Sequence, residues 1–176
     1  MTVQVRPATP ADAAVLARVA AATFALACPP HTTQASIDTF IATVLSQECF
    51  DGYLADPARD LFVAQEDGDA TGYAMLVTGE PADPDVRGAL HHHPTSELSK
   101  IYVLPDRHGA GTSRLLMQAC LDAARARGSA GAWLGVNQLN ERAQRFYAKN
   151  GFERVGTKRF LVGDRYEDDY VYEQAL

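Results

Sequence analysis

The chain has 176 residues, 47% of them apolar and 22% charged, with a formal net charge of −6. That length suits one domain, residues 1–176, with a sizeable core, and the acidic balance argues against nucleic-acid binding while mildly favouring a cationic partner. No uninterrupted apolar run spans a bilayer and no basic-then-apolar leader opens the chain, so no membrane partner is expected. Cys28, Cys49 and Cys120, odd in number and far apart, read as reduced core thiols of a cytoplasmic protein.

"VQVRPAT" is a first strand, and Pro10-Ala11-Asp12 opens a helix that runs to about Ala27, where Pro29-Pro30 ends it. Ile37, Phe40, Ile41, Val44 and Leu45 fall on one face of a second helix. Two strands then flank a hairpin turn at Asp67-Gly68-Asp69. A loop rich in Pro, Asp and His covers Glu80 to Thr95. The strand "ELSKIYVL" leads into a glycine turn and a helix with Leu115, Leu116, Ala119, Cys120 and Ala123 inward, stopped by Gly128. "GAWLGVN" is another strand, "NERAQRFYAKNGF" a helix ended by Asn150-Gly151, and two strands close the chain. The pattern predicts an α/β fold with a mixed sheet, hairpins at both ends and a β-turn-α-β crossover between them.

A glycine turn between a strand and a helix is an anion site. The first N–H groups of the helix are unpaired, the helix dipole adds positive charge, and glycine lets backbone approach a phosphate. A P-loop would need Lys-Ser/Thr after the second glycine, where this chain has Thr112-Ser113-Arg114. A dinucleotide site would need Gly or Ala at Arg114 and an acid at the tip of the next strand, which ends Val136-Asn137-Gln138. Both fail. A turn without any ligand stays open on this stretch alone.

The run "KIYVLPDRHGAGTSRLL" resembles the acetyl-CoA turn of the GNAT superfamily of N-acetyltransferases, Gln/Arg-x-x-Gly-x-Gly/Ala. Gly111 takes the central glycine; His108 stands where Gln or Arg is usual, and Ser113 where Gly or Ala is usual. A second block, Asn140, Ala143, Phe146, Tyr147, Gly151 and Phe152, is similar to the superfamily's Asn-x-x-Ala-x-x-Phe-Tyr-x-x-x-Gly-Phe segment. The closing "FLVGDRYEDDYVYE" is similar to the tail of bacterial spermidine/spermine acetyltransferases. The resemblance implies about seven strands and four helices, with the sheet splayed between strands 4 and 5. It implies acetyl-CoA as cosubstrate, its pyrophosphate held by the turn from His108 through Gly109, Ala110, Gly111, Thr112 and Ser113 to Arg114. Its pantetheine would pair with Ile101, Tyr102 and Val103, with Asn140, Tyr147 and Lys149 also at the coenzyme.

Acetyl transfer needs an amine that has lost its proton, a donor for the oxyanion, and a proton for the departing thiolate. The resemblance makes Tyr147 the acid. Glu97 is the candidate base, placed by strand alternation on one face with Ser99, Ile101 and Val103, opposite Leu98, Lys100 and Tyr102. A water chain is the other route for the proton. The histidines His91, His92 and His93 lack spaced carboxylate or Cys partners, so no metal is expected, and His31 reads as a surface-loop residue, with a place in the acceptor pocket as its other reading. The acidic cluster Asp164, Glu167, Asp168, Asp169 and the tail resemblance point to a small-molecule amine acceptor, a polyamine among them. A protein N-terminus, an antibiotic, or a non-catalytic acyl-CoA sensor stay open, as does a homodimer through edge strands.

Overall fold

The computed structural model describes residues 2–107 and 111–176. Seven strands form one sheet in the order β1-β2-β3-β4-β5-β7-β6. They are β1 (Val3–Pro7), β2 (Arg59–Glu66), β3 (Asp69–Thr78), β4 (Thr95–Val103), β5 (Gly131–Asn137), β6 (Glu153–Val162) and β7 (Arg165–Ala175). Every neighbouring pair is antiparallel except β4 and β5. Those two run parallel because helix α5 (Thr112–Ala126) carries the chain back between them, as a parallel crossover requires. Their pairing is short. It covers Thr95–Glu97 against Gly131–Trp133, although β4 runs on to Val103 and β5 to Asn137. The expected splay between strands 4 and 5 is therefore present.

The remaining helices are α1 (Ala13–Ala27), α2 (Gln34–Val44), α3 (Gln47–Ala55), α4 (Pro84–Ala89) and α6 (Glu141–Lys149). Among the described residues six α-helices stand where about four were expected. The two extra ones show little periodicity: α3 buries only Phe50 and α4 only Val86, so neither carries a long apolar stripe. Side-chain caps start them instead, Ser46 accepting from Cys49 N–H and Asp83 from Asp85 N–H. One face of the sheet packs α1, α2 and α3 through Leu16, Phe24, Phe40, Phe50, Tyr73 and Met75. The opposite face packs α5 through Leu98, Val103, Leu116, Met117, Cys120 and Leu134.

The inward stripe of α5 is turned one residue from the expected one. Leu115 is 45% exposed and the buried side is Leu116, Met117, Cys120, Leu121 and Ala124. Two overlapping faces share Leu116 and Cys120. The one with Met117 and Leu121 buries more apolar area than the one with Ala119 and Ala123, and it wins. Of the cysteines only Cys120 is fully buried; Cys28 and Cys49 are half-buried, and all three are free. The stretch Pro10–Ala27 is long and apolar enough, by composition alone, to cross a bilayer. Here its apolar side, Ala13, Leu16, Val19, Ala20 and Phe24, is core.

A polar clamp fixes where α1 begins. Arg6 of β1 donates from Nη1 and Nη2 to the two Asp12 oxygens at 2.8 Å each, and Thr9 N–H donates to Asp12 Oδ2 at 2.7 Å. The Arg6 hydrogen bonds, chiefly, hold the Asp12 carboxyl down at about 2. Because the folded value lies below the ordinary 3.8, the stabilisation is complete above that pH and fades as pH falls through about 2. Asp12→Asn is expected to lose about 1–2 kcal/mol at pH 7 in urea unfolding, the deficit shrinking in acid; a deficit that stays constant down to low pH would contradict this origin.

Candidate active site

A cavity of about 1200 Å³ runs through the split in the sheet, and every described residue named from the sequence for the coenzyme or the chemistry lines it. His108, Gly109 and Ala110 lie outside the described residues. At one end is the start of α5. Gly111 is its N-cap, in the left-handed region at φ 78°, where a side chain would be strained. Among the described residues no side chain caps this end. Leu115 N–H bonds the Gly111 carbonyl, and the N–H groups of Thr112, Ser113 and Arg114 open the helix ahead of it. The Thr112 hydroxyl is buried and has no hydrogen-bond partner among the described residues. A helix start at the mouth of a cavity suits an anionic group such as a diphosphate, through its N–H groups and the helix dipole.

From there the cavity follows β4 past Val103, Tyr102 and Ile101 and meets α6. Asn140 caps α6 by accepting from Ala143 N–H at 3.2 Å, and Lys149 lies on its last turn. Arg142 lines the cavity too. Tyr147 sits between Phe146 and Phe152, with ring centroids 5.6 and 6.1 Å away. Burial, and after it Tyr102, pushes its hydroxyl well above the usual tyrosine range. A phenol that stays protonated can donate a proton to a neighbouring group.

Beyond the split the cavity opens onto the α1–α2 face of the sheet, where strand alternation gave the wrong partners for Glu97. β3 pairs Met75 with Lys100 and then Leu76 with Leu98, so Ser99 is an extra residue, a β-bulge. The bulge reverses parity. Leu98, Ile101 and Val103 belong to the α5 side, whereas Tyr102 packs on the α1 side. Glu97 therefore faces with Lys100 and Tyr102, not with Ile101 and Val103. Burial raises the Glu97 carboxyl above its ordinary range, opposed by Lys158, Lys100 and Arg59. The same burial lowers Lys100 to about 8, against the pull of Glu97.

Lys100 and Lys158, unread as site residues in the sequence, line the cavity together with Glu167 and Asp169 of the acidic cluster. Alternation on β7 divides the acidic cluster, burying Glu167 and Asp169 and leaving Asp164 and Asp168 exposed. Asp169 is raised to about 6 by burial, with Lys158 opposing. His31 does more than cover surface, since its Nε2 lies 2.7 Å from Glu167 Oε1 and ties the α1–α2 connection to β7. The histidine run lies elsewhere. His91 and His92 donate their backbone N–H groups to Glu173, and His93 pairs with Glu80 at 2.7 Å. No group of three or more metal-ligating side chains occurs among the described residues.

A family model described as the acetyltransferase (GNAT) family matches residues 22–152. An uncharacterized N-acetyltransferase of Mycobacterium tuberculosis is 47% identical over 165 residues, covering 94% of this chain and 98% of the relative. The fold is similar to the PaiA N-acetyltransferase of Thermoplasma acidophilum in complex with coenzyme A, with TM-score 0.79 and 17% identity over all of both chains. It is also similar to the spermidine/spermine N-acetyltransferase of Vibrio cholerae, with TM-score 0.65 and 18% identity over 99% of this chain and 95% of that one.

The orphan hydroxyl gives a direct test of the anion end. Thr112→Val should leave the free protein as stable or up to about 1 kcal/mol more stable, because it removes a buried unpaired group at constant shape. Denaturant unfolding showing a loss instead would mean that the hydroxyl is bonded within the protein.

Proposed function

The chain belongs to the GNAT family of acetyltransferases, and from that premise we propose that it moves an acetyl group to a primary amine of a small molecule by direct attack while both substrates are bound. It is an N-acetyltransferase, and acetyl-CoA is the family's acetyl donor. The observation that carries the proposal is a single continuous cavity joining the start of α5, Tyr147 and Glu97 through the split sheet. All of residues 1–176 act as one domain, because β1 and β7 come from opposite ends of the chain into one sheet. Three free thiols fit a cytoplasmic setting.

The N–H groups of Thr112, Ser113 and Arg114 bind the diphosphate, with Arg142 and Lys149 adding positive charge. Ile101, Tyr102 and Val103 border the pantetheine, and Asn140 holds the start of α6 so that Tyr147 faces the split. Bound acetyl-CoA supplies a thioester carbonyl open to attack. Glu97 takes the proton that the amine must lose, directly or through water. Tyr147 gives a proton to the departing sulfur and recovers one from solvent. An acetamide and the free thiol of coenzyme A result. The acceptor half carries Lys100 and Lys158 beside its carboxylates, so a fully cationic polyamine would meet like charge. The acceptor reading therefore stays at a small primary amine.

Thiol release from acetyl-CoA over a panel of small amines tests the activity; turnover of a peptide N-terminus with none on small amines would overturn the acceptor assignment. Tyr147→Phe should slow transfer by about 10- to 100-fold with coenzyme affinity nearly intact. A sensor without catalysis would show no rate to lose. Because burial raises Glu97 and a base must be deprotonated to act, the acid limb of kcat/KM should lie above the ordinary carboxylate range of about 4–5. Glu97→Gln should abolish that limb and lower kcat by about 100-fold or more; an unaltered profile would assign the proton to another route.

A further inference from the structure

Resting on this reading of the cavity, we propose that the acceptor carries a carboxylate close to its reactive amine, as an α-amino acid does, and that Lys158 binds that carboxylate. Among the described residues, three half-buried cations already have a carboxylate partner. Arg6 bonds Asp12, Arg59 bonds Asp56 and Arg107 bonds Glu66, at 2.8 to 3.2 Å. Lys100 and Lys158 differ. Both line the cavity, and among the described residues neither has a carboxylate within ion-pair distance. A cation withdrawn from water without a direct counter-charge is costly, and a ligand anion relieves that cost.

Lys158 is also held in place. Its ammonium lies 6.0 Å from the Trp133 ring centroid and 5.3 Å from that of Phe160, contacts that orient a lysine head without neutralising it. The space before it exists because residue 135 is glycine. A Cβ built there would stand 3.2 Å from Lys158 Cδ, 3.5 Å from its Nζ and 3.3 Å from Asp169 Oδ2. An ammonium and a carboxylate thus flank one small gap on the cavity floor without closing on each other. A molecule with its own carboxylate and amine a few ångströms apart satisfies both. Its anion meets Lys158, and its amine lies toward Asp169 and Glu97. Glu167 is less available, being 2.7 Å from His31 Nε2 and 3.8 Å from Arg165 Nε. Gly135 and Lys158 are then specificity residues, and Lys100 is a second cation beside Glu97.

Matched pairs that differ only in the carboxylate test this: L-leucine with isoamylamine, L-phenylalanine with phenethylamine, and L-lysine with cadaverine, each with acetyl-CoA. The amino acid of at least one pair should exceed its decarboxylated partner by about tenfold or more in kcat/KM, mostly through KM. Lys158→Gln should collapse that ratio toward one, while Lys158→Arg should keep most of it. If Lys158→Gln does not fold, the wild-type ratio decides alone. Equal or faster turnover of the decarboxylated amines, or a ratio indifferent to Lys158→Gln, would overturn the inference and leave the transferase reading intact. No acetylation of any amine in the panel would overturn both.

Discussion

The structure depends on two strands that begin as neighbours and then part. β4 and β5 hold each other only over Thr95–Glu97 and Gly131–Trp133. Beyond that point a seven-stranded sheet carries a gap in its middle, where backbone polar groups would ordinarily be paired. A protein can keep such a gap when a ligand completes it, and pantetheine, an extended chain with amide groups, has the chemistry to do so. Each half of the sheet is anchored independently, β4 by β3 on one side and β5 by β7 on the other. The two faces are covered by different helices, α1 to α3 on one and α5 on the other. The gap therefore joins two environments: an anion-seeking helix start and a mixed-charge acceptor wall.

The bulge at Ser99 sets what stands at that junction. With strict alternation, Glu97 would point with Ile101 and Val103 toward α5, away from any acceptor. One inserted residue turns it to the face shared with Lys100 and Tyr102. The consequence is electrostatic as well as geometric. Glu97 and Lys100 lose water together, so burial shifts the carboxyl up and the ammonium down, toward each other. Lys158 stands within reach of both Glu97 and Asp169 and opposes the shift of each. A buried wall with both signs of charge is better matched to a ligand with both signs than to one that is cationic throughout.

The sequence made the coenzyme end of this site readable because its residues are local. A strand, a turn with Gly111 and an amphipathic helix follow one another without interruption from Thr95 to Ala126, and Asn140 to Phe152 form a second contiguous block. The acceptor end was much less readable. Lys158 and Asp169 reach Gly135 and Glu97 only through the order in which β6 and β7 join the sheet, which no local pattern encodes. The bulge did leave a trace in "ELSKIYVL": the adjacent polar pair Ser99-Lys100 breaks the alternation, and skipping Ser99 puts Leu98, Ile101 and Val103 on one apolar face. Leu115 was misread because two helix faces were both apolar, and volume decided between them. The short helices α3 and α4 rest on caps and one buried side chain each, too little for periodicity to reveal.

The central claim is that the parted strands receive the coenzyme. A crystal structure grown with saturating coenzyme A tests it most directly. The account predicts the diphosphate on the N–H groups that open α5 and the pantetheine arm lying between β4 and β5, its sulfur facing Tyr147. Coenzyme bound elsewhere, or a split that stays empty at saturation, would contradict it.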